Sequence, residues 1–85
     1  MFQTISPEGI NIAIRQIKRW VVAAEQDKDP YVKYLHATYA TGNIDLLRDI
    51  ISDIEIMKAT NIDILKLRNK AITLQDIAQR LIQSK

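Results

Sequence analysis

The chain has 85 residues, of which 47% are hydrophobic and 26% charged, with a net charge of +2 and no cysteine. This balance is typical of one small globular domain over residues 1–85 and argues against disorder. Twelve basic against ten acidic residues is too even to predict nucleic-acid binding from net charge. The absence of cysteine excludes disulfides, thiolate zinc sites and a cysteine nucleophile.

No apolar run approaches the length of a membrane span. The longest, Trp20 to Ala24, has five residues, whereas a transmembrane helix needs about 20. No signal-peptide pattern opens the chain. We therefore expect no membrane span, and a location that is either intracellular (cytoplasmic) or within a virus particle.

Two helix starts combine a capping residue with a proline. Ser6 and Pro7 begin a helix over about 7–26, and Asp29 and Pro30 begin a second over about 30–41. Gly42 then suits a left-handed stop at the end of the second helix. The first helix has an apolar stripe at helical spacing, made of Ile10, Ala13, Ile14, Ile17, Trp20, Val21 and Ala24.

The stretch from Asn43 to Ala71 contains neither proline nor glycine and predicts a long third helix over about 44–71, roughly 40 Å in length. Its predicted buried stripe is Leu47, Ile50, Ile51, Ile54, Met57, Leu65 and Ile72. Continuity through Thr60 is left open, because Thr60 to Asp63 resembles a capping box. Thr73 is predicted to cap a fourth helix over 73–83. The sequence thus predicts an all-α protein, a small elongated bundle of about four helices with one long third helix.

A helix of that length leaves apolar residues that a small monomer has no means of covering. Ile56 and Leu67 fall on the otherwise polar back of the predicted third helix. Tyr31 and Tyr34 lie about one turn apart on the second helix, and exposed tyrosines favour protein interfaces. We therefore predict a protein interface that includes Tyr31, Tyr34, Ile56 and Leu67, with either a protein partner or a homo-oligomer.

A basic cluster on the first helix supports an alternative. Arg15, Lys18 and Arg19 precede Trp20, and such a patch could contact phosphate while the indole stacks on a base. The interpretation we favour places Trp20 in the core and the basic side chains in water.

Residues suited to catalysis or to metal binding are few. His36 is the single histidine, and no motif completes a catalytic constellation around it. Asp45, Asp49 and Asp53 are spaced to share one flank of the third helix, but no second carboxylate pair converges on them, so a solvated acidic face is favoured. The sequence predicts no catalytic residue, metal, cofactor or small-molecule substrate, and hence no enzyme.

These expectations favour a non-enzymatic helical interaction or structural protein, either a small subunit or a minor component of a larger assembly such as a viral particle. One alternative is a nucleic-acid-associated helical module that uses the basic patch on the first helix. The other is a small adaptor or regulator that binds one protein partner.

Overall fold

The computed structural model describes residues 5–84 and contains four helices and no strand within that range. These are α1 (Pro7–Gln26), α2 (Pro30–Ile50), α3 (Asp53–Thr60) and α4 (Ile64–Gln83). The prediction of a small all-α bundle is confirmed. The prediction of one long third helix is wrong, because α3 has 8 residues whereas α1, α2 and α4 have 20, 21 and 20.

The first two helix starts follow the predicted capping chemistry. The Ser6 hydroxyl accepts a hydrogen bond from the Gly9 amide at 3.1 Å, and the Asp29 carboxylate accepts one from the Tyr31 amide at 2.8 Å. Both caps satisfy amides that have no partner within their own helix.

Helix α2 does not stop at Gly42 as predicted but continues to Ile50. Gly42 does not adopt a positive φ, so its backbone stays helical. Buried residues on either side, Ala37, Ala40, Ile44 and Leu47, keep a continuous helical period through the glycine. Packing of this face outweighs the cost of a mid-helix glycine, which is only about 1 kcal/mol.

The predicted third helix is interrupted first at Ile51, which is extended. Ser52 then caps α3 by accepting a hydrogen bond from the Glu55 amide at 3.2 Å. Across this break Arg48 donates two hydrogen bonds to Asp53, at 2.9 and 3.2 Å. The carboxylate raises the pKa of the Arg48 guanidinium further above its ordinary value, and the pair joins the end of α2 to the start of α3.

A second interruption lies at the place left open near Thr60. Asn61 ends α3 in the left-handed conformation, with a φ of 58°, which asparagine tolerates better than most residues. Asp63 caps α4 by accepting hydrogen bonds from the Leu65 and Lys66 amides. The predicted cap at Thr73 is wrong, since Thr73 lies within α4 and its hydroxyl donates to the Asn69 carbonyl at 2.9 Å.

Helix α2 is the central element of the bundle. It packs antiparallel to α1, with Lys33 near Ala24, and antiparallel to α4, where Gln75 donates to Thr38 at 3.0 Å. The short α3 packs mainly against α1. The bundle measures 49 × 21 × 17 Å, so the predicted elongation is present, although it comes from three helices of about 30 Å each.

The two breaks also change which side of the chain is buried. Ile54, predicted to lie within the buried stripe, is 69% exposed, and Ile56, predicted to lie on the exposed back, is 0% exposed. Met57 and Leu65, which follow a break, are likewise exposed rather than buried, and so is Ile50 at the end of α2. The prediction assumed a constant 3.6-residue period, and each break resets the rotation of the helix that follows.

Candidate interaction surfaces

The side of α2 opposite its buried residues carries a strip of exposed apolar side chains, which borders α1 where Tyr39 contacts Trp20. We call this strip the α2 seam and define it as Val32, Leu35, Tyr39, Gly42, Leu46 and Ile50. Its spacings of three and four residues are those of a helix–helix contact. A Cβ placed on Gly42 would meet no atom within 4 Å, so the middle of the seam is open.

The seam continues into a shallow groove between α2 and α1. This groove has a volume of about 230 Å³, and its lining includes Leu46 and Ile50 from α2 and Ala13 and Gln16 from α1. Leu46 is 59% exposed and Ile50 is 52% exposed. The lower half of α2 therefore presents an apolar ridge beside an apolar groove.

A second apolar surface lies where α3 meets α4. Ile54, Met57 and Leu65, all exposed, line an open pocket of about 460 Å³ whose rim includes Asp53 and Lys58. The pocket is separate from the α2 seam, with which it shares no lining residue. The described part of the chain therefore carries two distinct apolar surfaces.

The four residues predicted to form a protein interface do not share one surface. Tyr31 and Tyr34 are exposed on α2, as expected for interface tyrosines. Ile56 has no exposed surface, so its predicted place at an interface is wrong; it belongs to the core. Leu67 is partly buried and packs against that same core.

The basic cluster is exposed, but its tryptophan is directed elsewhere. Arg15, Lys18 and Arg19 line a shallow depression of about 380 Å³ on α1, and none of them forms an ion pair within residues 5–84. Trp20 packs on the α2 side, with its ring 5.3 Å from His36 and 5.0 Å from Tyr39. The indole is therefore already engaged within the bundle rather than free to stack on a base.

Of the three aspartates predicted to share one flank, Asp53 is separated from Asp45 and Asp49 by the end of α2. Asp45 accepts a hydrogen bond from Arg68 of α4 at 2.8 Å, and Asp53 is held by Arg48. Two of the three carboxylates are thus neutralised by arginines. Between residues 5 and 84, no group of three or more histidine, cysteine, aspartate or glutamate side chains has an arrangement that could hold a metal ion.

Two polar side chains of α2 fasten the end of α1, a feature that the sequence did not reveal. Lys33 is buried and its Nζ donates to the Ala24 carbonyl, in the last turn of a helix that has no basic residue there. His36 Nδ1 lies 2.6 Å from the carboxylate of Asp27, the residue that ends α1. A cation at the negative end of a helix is stabilising, so Lys33 of α2 supplies the basic group that the last turn of α1 lacks.

Because the comparisons with known proteins identify no relative, function is inferred from the surfaces described above. No protein-family model, curated protein or solved structure matches the chain. None of the helices within residues 5–84 is both long enough and apolar enough to cross a membrane.

Proposed function

We propose that this protein is a non-enzymatic helical interaction protein that works as a small subunit or minor component of a larger assembly. One observation carries the proposal. Fourteen large apolar side chains are exposed in the described part of the chain, against fifteen hydrophobic residues that are buried. Scattered exposed apolar residues are ordinary, but eight of these fourteen belong to the α2 seam or to the pocket between α3 and α4. Contiguous apolar surfaces of this kind mark interaction sites.

The polar side chains support a structural rather than a catalytic role. His36, the single histidine, is engaged with Asp27 and flanked by aromatic rings. The pockets are open to solvent; the charged residues that line the α3–α4 pocket are Asp53, Lys58 and Asp63, and those on α1 are Arg15, Lys18 and Arg19. Catalysis usually needs a concave site with convergent polar groups, whereas these surfaces suit the docking of a helix. A virus particle is one assembly that would hold such a subunit.

Sedimentation of an extract from the native source tests the proposal. The chain alone has a mass of 9.8 kDa, and we expect it to sediment with a much heavier assembly. The paired substitution Ile54→Lys with Leu65→Lys, which charges the α3–α4 pocket, and Leu46→Lys, which charges the seam, should each be compared with wild type. Gln79→Lys is the control, because it adds the same charge at an exposed polar position of α4.

We expect at least one of the two apolar-surface variants to leave the heavy fraction while Gln79→Lys stays in it. A wild-type chain that sediments only at the position of free protein and is monomeric when purified would refute the proposal. So would an assembly that retains both apolar-surface variants as well as it retains wild type.

A nucleic-acid-associated module is the second candidate, and one observation favours it. Arg15, Lys18 and Arg19 form no ion pair within residues 5–84, whereas Arg48, Arg68 and Lys70 each do. Unpaired clustered cations are available to phosphate. Three phosphate contacts predict that the logarithm of the binding constant falls with a slope of about −2 to −3 against the logarithm of salt concentration. Binding that is insensitive to salt, or unchanged in Arg15→Gln with Arg19→Gln, would remove this candidate.

A further inference from the structure

We propose that the α2 seam is covered by the α2 seam of a second copy of this chain, with the two helices antiparallel. The inference rests on the proposed function and specifies one of the contacts it requires. It draws on the spacing of the seam, on the match between its large and small residues, on its flanking charges and on its area.

The seam has the heptad pattern of a two-helix contact. Val32, Tyr39 and Leu46 are seven residues apart, and Leu35 and Gly42 fall three residues after Val32 and Tyr39. In an antiparallel pair, residues of the first series lie opposite residues of the second. A twofold axis between residues 40 and 41 then serves the four central layers, and Val32 lies opposite Asp49 of the second copy at each end of the contact.

Between Leu35 and Leu46, that axis places large side chains against small or matching ones. Tyr39 faces Gly42 of the second copy, where the glycine leaves open space, and Leu35 faces Leu46 of the second copy. A parallel pair would instead set Tyr39 against Tyr39 and Gly42 against Gly42, which gives one crowded and one empty layer. Since close packing is the rule at stable contacts, the antiparallel arrangement is the one that fits.

The residues that flank the seam are compatible with this register. Thr38 lies near Asp45 of the second copy, and His36 lies near Asn43 of the second copy, by their positions on the helix. Neither layer brings two like charges together. Asp45 is in addition already paired with Arg68 of its own chain, so its charge is compensated at the edge of the contact.

The apolar area that the seam exposes is of the size expected at the interface of a reversible dimer. Between 38% and 59% of each apolar seam residue is exposed, which amounts to about 450 Å² of apolar surface on each chain. Two seams contribute about 900 Å², and the flanking polar residues bring the total to roughly the 1,200 Å² at which specific contacts begin. We therefore expect a concentration-dependent dimer with a dissociation constant in the micromolar range.

Analytical ultracentrifugation from about 1 μM to 1 mM tests the dimer. Leu46→Lys should weaken it at least about tenfold, the loss of a central apolar contact, while Ile54→Lys, on the other apolar surface, should leave the dissociation constant unchanged. Both positions are exposed in the monomer, so both variants should keep the wild-type circular dichroism spectrum. A wild type that is monomeric throughout, or a dimer indifferent to Leu46→Lys, overturns the inference.

Cross-linking tests the orientation, and the chain is suited to it because it has no cysteine of its own. Leu35 and Leu46 are eleven residues apart, about 16 Å along the helix, which is beyond the reach of a disulfide. Mixing Leu35→Cys with Leu46→Cys should therefore give a disulfide between the two variants, while neither variant alone should cross-link. Efficient cross-linking of Leu35→Cys with itself indicates a parallel pair and refutes the register.

The outcomes also separate this inference from the proposed function. If the wild type is strictly monomeric but Leu46→Lys leaves the heavy assembly of the source extract, the seam binds a different protein. The dimer is then refuted and the proposed function stands. If the chain neither dimerises nor joins any assembly, both are refuted.

Discussion

Two isoleucines of α3 give the most direct test of the fold. Ile56 is fully buried and belongs to the core, whereas Ile54, two residues earlier on the same short helix, is 69% exposed. Replacing either with alanine removes the same atoms from the same type of residue in the same helix. The difference between the two variants therefore measures burial alone.

Ile56→Ala should lower the free energy of unfolding by about 3 kcal/mol, within the range of 2–5 kcal/mol for such core truncations. For a domain of this size, each kcal/mol shifts the melting temperature by about 4–8 °C, so a fall of roughly 12–24 °C is expected. Total stability should be roughly 4–13 kcal/mol, so Ile56→Ala could leave little folded protein. Ile56→Val, with an expected cost of about 1 kcal/mol, keeps the comparison measurable.

Ile54→Ala should change stability by no more than about 0.5 kcal/mol, since its side chain is already in water and alanine is the better helix former. Urea and thermal unfolding followed by circular dichroism at low protein concentration provide the measurement. A larger loss at Ile54 would show that α3 presents the opposite side to the core, and equal losses would contradict the difference in burial between the two positions; either result would refute the rotation of α3 that buries Ile56 and exposes Ile54.

Two further substitutions test features of α1 and α2 in the same assay. Lys33→Met keeps the apolar length of the side chain but leaves the Ala24 carbonyl without the donor that Lys33 provides. It should lower the free energy of unfolding by about 1–3 kcal/mol. The control Lys18→Met, at an exposed position of α1, should lower it by almost nothing. Gly42→Ala should raise the stability of the dilute monomer by about 1 kcal/mol, because its Cβ enters open space; Gly9→Ala should gain none of this, since its Cβ would lie 2.5 Å from Ile5 Cγ2. A Lys33→Met protein as stable as wild type would contradict the bond from Lys33 to the Ala24 carbonyl. A fall in melting temperature for Gly42→Ala would contradict the open space beside Gly42.

Local chemistry was the part of the fold that the sequence predicted well. The starts of α1 and α2 follow from one capping side chain and one proline each, and these act over three or four residues. Ser52 and Glu55 form a similar signal, the capping box, in which a serine is followed three residues later by a glutamate. Reading that signal as a helix start would have placed the end of α2 and the beginning of α3 correctly.

Features that depend on tertiary packing were not predictable in this way. The helical path through Gly42 depends on the burial of Ala37 and Ala40, small residues that carry little weight in an apolar pattern. The bond from Lys33 to Ala24 joins residues of two helices and has no sequence signature. The burial of Ile56 followed from the rotation of α3, which no constant period through residues 44–71 could give.

Helix α2 carries apolar residues on more sides than α1 and α4 cover. Its core side presents Ala37, Ala40 and Ile44, all fully buried, and its outer side presents Leu35 and Leu46, both exposed. A helix that is apolar on several sides is typically enclosed on all of them, yet α1 and α4 enclose only two sides of α2. In a monomer the apolar residues of the α2 seam would stay in water and would not contribute to stability. The proposed second copy, laid against that outer side, would cover the α2 seam, and the α3–α4 pocket, which shares no residue with the seam, would remain available to another partner.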